Sequence, residues 1–560
     1  MAVLCTACAD TPGAIPGAWP LFDEVREVTG DSAMVVSGHP LASEVGVELL
    51  RAGGNAVDAA VAVGFALAVV LPEAGNIGGG GFMVIRQASG ETLALDYRET
   101  APARATRDMY RDPAGGVSEA IRVGHLASGV PGSVAGLAEA QRRFGRLTLA
   151  RVLAPAIRLA HEGHVLDGHR ARSIASAAGR LRRFEASRRT WLPGGAPPDS
   201  GTVFTQPDLA RTLHAIADSG PRAFYEGWIA DSVAAEMERG GGLIGKDDLA
   251  RYVPIWREPV TITYRGHTIH SMPLSSSGGV TLALILNMLE GWDSLPPPAS
   301  AEHVHLLAEV MRRAFMDRNE YLADPAFVDV PTARLTSQAY ADRRRDDIRE
   351  AVATPSTAVR PGLQEGTETT HYSVVDADGN AVAVTTTINS GFGSGVTVSG
   401  AGFLLNNEMD DFTAAPGEPN IYGLVQGAAN AIAPHKRMLS AMSPTIVLDP
   451  DGRLLMLLGS PGGPSIITTV AQVISYIVDY GLSLADAVAA PRVHHQGLPD
   501  SLRYERRGLQ GFTVRRLERM GHHPDERPGY SGDVAAVMRS AGGGWLGVAD
   551  PRQGGGAVGY

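Results

Sequence analysis

The stretch "TTHYSVVDADGNAVAVTTTIN", residues 369–389, limits the fold of this chain more than any other. It consists of two runs rich in β-branched residues on either side of a turn, which is the pattern of two paired strands. A three-residue loop of Ala377, Asp378 and Gly379, with the glycine in its last, left-handed position, closes such a hairpin. The loop also fixes the register, setting Thr369 across from Thr387. A second hairpin is expected in "FMVIRQASGETLALDYRE", turning at Ser89 and Gly90, with Arg98 at the end of its second strand.

Much of the remaining pattern is helical. Leu41 to Val70 is Ala-rich and periodic, as is Ser133 to Arg182, and a long helix is expected from Ala301 to Tyr321. The apolar run "AAVAVGFALAVVLP", 59–72, is shorter than the roughly 20 residues a bilayer crossing needs, so it reads as a buried helix rather than a membrane span. Next comes "AGNIGGGGFM", whose glycines resemble a phosphate cradle. A dinucleotide loop, however, runs strand, glycines, helix; here the order is helix, glycines, strand, and Met83 stands where the third glycine belongs. Residues 353–367 are rich in Pro, Thr, Gly and Glu without periodicity and are expected to form an exposed, mobile link.

Composition excludes several classes. The 560 residues are 44% hydrophobic and 19% charged with a net charge of -11, so no basic field is available for a nucleic acid. Lys246 and Lys436 are the only lysines, and in a chain so biased to arginine a lone Arg carries little information. Cys5 and Cys8 are spaced C-x-x-C but lack a βαβ context or a second ligand pair, and "HEGH" at 161–164 lacks the i, i+4 histidines of a zinc helix. No metal or other cofactor is expected. The first 19 residues have no Lys or Arg ahead of their apolar residues, unlike a secretory signal.

A threonine hydroxyl needs a base, and no Asp or Glu stands ready beside Thr369. The chain could make one. Attack of Thr369 on the carbonyl of Glu368 would turn that peptide bond into an ester, and hydrolysis would leave Thr369 as a new N-terminus. Its free amine, with a pKa of about 7.7 to 8, could then take the hydroxyl proton. The β-branch restricts χ1 and aims Oγ, and Thr387 could hydrogen-bond it. Threonine also simply favours strands, so the same letters describe an ordinary β-ladder.

Taken with "GGNAVDAAVAVGFALAV", "AGNIGGGGFM", "DYRETAP", "GVPGSVAGL", "SMPLSSSGG", "DRNEYLADPAFVDVP", "LLNNEMDDF", "NAIAPHKRMLSAMSPTIV", "GSPGG" and "APRVHHQ", in that chain order, the stretch makes this sequence resemble the gamma-glutamyltransferases (gamma-glutamyl transpeptidases), self-cleaving N-terminal-nucleophile hydrolases. The resemblance implies an α+β fold, a four-layer αββα sandwich. It also implies an N-terminal extension over 1–32, a large subunit over 33–368 and a small subunit over 369–560, the two subunits forming one intertwined domain. The implied activity is transfer of γ-glutamyl groups from glutathione or related compounds to water or to an amino acid or peptide. By position, Thr369 would be the nucleophile, Thr387 its partner, and Gly462 and Gly463 the oxyanion donors. Arg98 and Ser440 would hold the substrate α-carboxylate, Glu408 and Asp411 its ammonium, with Asn389 adding a polar contact, and Tyr422 would be the aromatic of a covering loop.

Two departures bear on affinity: Ala441 follows Ser440 where many relatives have a second serine, and Glu408 stands where some have Gln. A glutaryl-type (cephalosporin) acylase or a poly-γ-glutamate enzyme of the same superfamily is an alternative, and a silent glutamate-binding protein is an alternative of another class.

Overall fold

The computed structural model describes residues 21–113, 116–359, 369–414 and 427–560. Two seven-stranded sheets organise it. From edge to edge, the first runs Gly556–Gly559, Met34–Ser37, Thr370–Val375, Ala381–Thr387, Gly80–Arg86, Thr92–Asp96, Ile255–Arg257. The second runs Arg26–Gly30, Trp545–Ala549, Ala535–Arg539, Leu454–Leu458, Thr445–Leu448, His267–Ser271, Val260–Tyr264. Each sheet mixes strands from before and after residue 369, and Arg26–Gly30, within the expected extension, pairs with Trp545–Ala549.

The alternation of the central hairpin explains the layering. Tyr372, Val374, Val382 and Val384 point to one face, where they pack with Val63, Leu67 and the rest of a helical layer. Val375, Ala381 and Ala383 point to the other and meet Ile446, Leu457 and Val537 of the second sheet, with Met442 just ahead of the strand Thr445–Leu448. The far face of the second sheet, with Val447, Met456 and Ala536, is covered by the helices Gly278–Glu290, Ala301–Tyr321 and Ser465–Val478. Helix, sheet, sheet, helix is the αββα order, and the fold is α+β.

The expected register holds. Thr370 pairs with Thr386 and Val375 with Ala381, and Gly379 takes φ +87° in the loop, donating its N–H to the Asp376 carbonyl at 3.1 Å. The apolar run lies in a helix, Ala56–Val70, buried throughout and started by a reciprocal Asn55–Asp58 capping box. The long helix spans Ala301–Tyr321.

The expected exposed link holds only in part where it can be seen, at Pro355, Thr357 and Ala358. Ala353, Thr354 and Ser356 are buried rather than exposed. Arg313 donates to Thr354 Oγ1 at 3.1 Å and Arg312 to Ser356 Oγ at 3.2 Å, while Ala353 donates its N–H to the Met520 carbonyl at 2.7 Å. Short polar side chains that look solvated in one dimension are here partners for buried arginines. Cys5, Cys8 and the rest of that expected link, 360–367, fall outside the described residues.

Candidate active site

Strand parity places the site. Thr369 continues the alternation of His371 and Ser373, and Thr387 that of Thr385, so both side chains belong to the face turned toward the second sheet. Ser373 Oγ confirms that direction by donating to the Ala535 carbonyl at 3.0 Å. At that end of the inter-sheet space one small cavity is lined by Arg98, Thr369, Thr387, Asn389, Glu408, Asp411, Ser440, Ala441, Met442, Gly463 and Ile466. Its volume is about 20 Å³, room for roughly one water molecule. Residues brought together from five distant stretches thus meet at one point. Gly462 adjoins the cavity without lining it, and Glu368 and Tyr422 lie outside the described residues.

The threonine strand is pinned from behind. Asn76, between helix Ala56–Val70 and strand Gly80–Arg86, donates from Nδ2 to the Thr387 carbonyl at 2.9 Å and accepts from Gly79 N–H and Ser133 Oγ at 2.9 and 2.7 Å. A Cβ on Gly79 would come within 2.1 Å of the Thr387 oxygen. The glycine run therefore exists for close backbone approach to the hairpin, not for phosphate. Thr387 Oγ1 accepts the Asn389 N–H at 2.7 Å, which turns the chain into the left-handed region (φ +71°) that asparagine tolerates. His371 is no free base: its ring nitrogens meet Thr385 Oγ1 at 2.9 Å and Ser373 Oγ at 3.1 Å, and burial holds its pKa down at about 3.

The opposite wall is ionic. Arg98, at 1% exposure, sends Nη1 to Glu408 Oε2 at 2.7 Å and to Glu99 Oε2 at 3.5 Å, and Nη2 to Asp411. Three carboxylates thus face one guanidinium. Burial raises the pKa of all three, against the pull of Arg98; repulsion from neighbouring carboxylates adds to it at Glu99 and Glu408, while at Asp411 the hydrogen bond with Glu408 works the other way. Glu408 goes well above its ordinary range, Asp411 goes up, and Glu99 reaches about 7. Glu408 to Asp411 form one 3-10 turn, held from below by Asn406, whose Oδ1 accepts the N–H groups of Gly129 and Glu408.

The third wall carries Ser440. Its N–H donates to the Ser275 carbonyl at 3.1 Å, and its carbonyl accepts from Ser277 N–H at 2.6 Å, so "SSSGG" brackets the strand entry. Gly462 (φ +130°) and Gly463 (φ +58°) sit just before the helix Ser465–Val478, with their carbonyls accepting from Ser465 and Ile466. That helix start makes the region electropositive.

Glu99, Asn76, Asn406, Ser277, Met442 and Ile466 were not singled out from sequence. All but Ile466 lie inside the stretches that carry the resemblance, Glu99 directly beside Arg98 in "DYRETAP".

The gamma-glutamyltranspeptidase family model matches residues 42–560. The glutathione hydrolase proenzyme of Escherichia coli K12 is 46% identical over 555 residues, 98% of this chain and 95% of that protein. The gamma-glutamyltranspeptidase structure from Helicobacter pylori is 43% identical with a TM-score of 0.57, covering 60% of this chain and 96% of that one. The cephalosporin acylase structure from Bacillus halodurans superposes with a TM-score of 0.86 at 29% identity, over 98% and 99% of the two chains. With an αββα core and a threonine facing an arginine–carboxylate wall, this chain belongs to the gamma-glutamyltranspeptidase family of N-terminal-nucleophile hydrolases.

Proposed function

We propose that the chain is a self-processing γ-glutamyltransferase and glutathione hydrolase. The observation that carries the reading is the shared cavity: a threonine at the start of a central strand opens onto one guanidinium and an excess of buried carboxylates. An α-amino acid end brings a second cation to Glu408 and Asp411, which otherwise share Arg98, and it presents a carboxylate that Arg98 and the Ser440 hydroxyl can take. Hydrogen bonds to charged groups contribute about 1.5–3 kcal/mol each. Because the cavity is smaller than a glutamyl group, donor entry requires its walls to move apart.

In this reading Thr369 first attacks the Glu368 carbonyl, and hydrolysis of the ester separates 33–368 from 369–560. The new α-amine then takes the Oγ proton as Oγ attacks the donor γ-carbonyl, with Thr387 holding Oγ. The developing oxyanion is met by the N–H groups of Gly462 and Gly463, and loss of one such donor costs about 2.7–4 kcal/mol of barrier. The proton passes to the departing amine, and water or an acceptor amine releases the acyl group from Thr369. No step calls on a metal or other cofactor.

The test is N-terminal sequencing of purified protein, where a chain beginning at Thr369 is expected. Thr369→Ala should remain one polypeptide and lose activity by at least about a thousandfold. An uncut chain that turns over a γ-glutamyl anilide would overturn the reading. The 46% identity to a glutathione hydrolase favours the γ-glutamyl donor over the acylase alternative, and a glutaryl amide assayed alongside separates the two.

A further inference from the structure

The carboxylates of the pocket outnumber the guanidinium that touches them, and a second guanidinium stands behind the wall. Arg318, in the last turn of helix Ala301–Tyr321, is 2% exposed. Its Nε donates to Ser277 Oγ at 2.8 Å and its Nη1 to Asn319 Oδ1 at 2.9 Å. Ser277 Oγ in turn donates to the Ser440 carbonyl at 2.5 Å. A relay of two hydrogen bonds therefore joins the long helix to Ser440, which lines the cavity. The same guanidinium charge acts on Asp411 in the direction that keeps it ionised.

A bonded relay and a field reaching the same pocket from one side chain are more than burial of a helix arginine requires. We propose that Arg318 is a positioning residue for the donor pocket, fixing the Ser440 backbone through Ser277 and lending Asp411 the positive charge that Arg98 alone does not supply. Neither effect touches the reacting atoms. Both act on how firmly, and over what pH range, an α-amino acid end is held. The inference rests on the γ-glutamyl reading of the site.

The test uses the full self-processed chain with a γ-glutamyl anilide across a pH series. Arg318→Gln should raise the donor KM by about tenfold or more, the scale of a lost hydrogen bond to a charged group, with kcat changed less. It should also move the acid limb of kcat/KM upward by about one pH unit, because Asp411 protonates more easily without the neighbouring charge. Arg318→Lys keeps the charge but not the directed Nε bond, so its acid limb should stay near that of the unsubstituted chain while KM still rises. Ser277→Ala should raise KM about 3- to 10-fold and leave the limb in place.

A merely structural arginine would move none of these limbs. Arg318→Gln with unaltered KM and limb would overturn the inference, as would Arg318→Lys displacing the limb as far as Gln does. Should Arg318→Gln fail to self-process, the Lys and Ser277 variants decide, and unchanged KM in both overturns it. Absence of turnover in the unsubstituted chain is the separate outcome that overturns the functional reading, and this inference with it.

Discussion

Two buried charge clusters in this chain use the same parts in opposite proportions. At the pocket wall, Arg98 faces Glu408 and Asp411, with Glu99 behind them at 3.5 Å. In the layer behind the second sheet, Glu309 faces Arg312 and Arg313, with Arg313 Nη1 at 2.6 Å and Thr354 N–H on its Oε1 at 3.1 Å. Burial works to raise every one of these acids. At Glu309 the two guanidiniums and Thr354 overcome it and hold the pKa at about 2; in the pocket a single guanidinium does not. A saturated carboxylate is a structural joint, whereas an unbalanced group of them is poised for an incoming cation. The contrast also disposes of a metal reading at His305, Glu309 and His522, whose ligand atoms lie within 4.8 Å of one another: the carboxylate is already engaged by arginine, and His305 Nδ1 is bonded to His522 Nε2 at 2.7 Å.

The largest effect that would break this comparison is on stability. Glu309→Gln removes the fully buried anion that two guanidiniums share, leaving them only the more exposed Asp347 and Asp500, and should cost about 3–5 kcal/mol of unfolding free energy. Urea titration in the uncut Thr369→Ala background measures it on a single chain, and in the processed enzyme the turnover per folded molecule should not change. A loss below about 1 kcal/mol would mean that the saturated cluster is not a joint at all.

Asp411→Asn should do the reverse. Removing one member of an overcrowded acidic group spares stability but costs the ammonium its partner, so kcat/KM for a γ-glutamyl anilide should fall about 10- to 150-fold, equivalent to 1.5–3 kcal/mol. A glutaryl amide, which lacks the α-ammonium, should be nearly indifferent. Equal losses on both substrates would show that Asp411 shapes the pocket without reading that charge.

Sequence made one side of this comparison far more legible than the other. The hairpin register and the long helix were readable because each is written in contiguous letters, as alternation, turn chemistry or period, whereas the layer order came only from the resemblance. Arg98, Glu408 and Asp411 were reached only by resemblance, since an arginine in an arginine-rich chain signals nothing by itself. Asn76, Ser277 and Arg318 were missed because what defines them is a partner far off in sequence: Thr387 for the first, Ser440 for Ser277. The stretch at 353–356 misled for the same reason, its composition being that of a link and its burial being owed to Arg312, Arg313 and Met520.

The smallest effect tests the pH signature that the imbalance leaves in stability. Glu99 has an ordinary value of 4.5 and is raised by burial to about 7. Between those values the folded chain keeps the proton and the unfolded chain releases it, so the number bound is larger in the native state and stability falls as pH rises through that window. Glu309, depressed to about 2, contributes stability that is complete above about 4.5 and is lost only as pH falls toward 2, so it is flat across the same window. Glu99→Gln should therefore remove a downward slope between pH 4.5 and 7 of up to about 1.4 kcal/mol per pH unit, the most one titrating group can give. Thermal unfolding of the uncut chain with and without the substitution reads the slope directly. Parallel curves would mean that Arg98 balances its three carboxylates after all, and that the two clusters differ in shape alone.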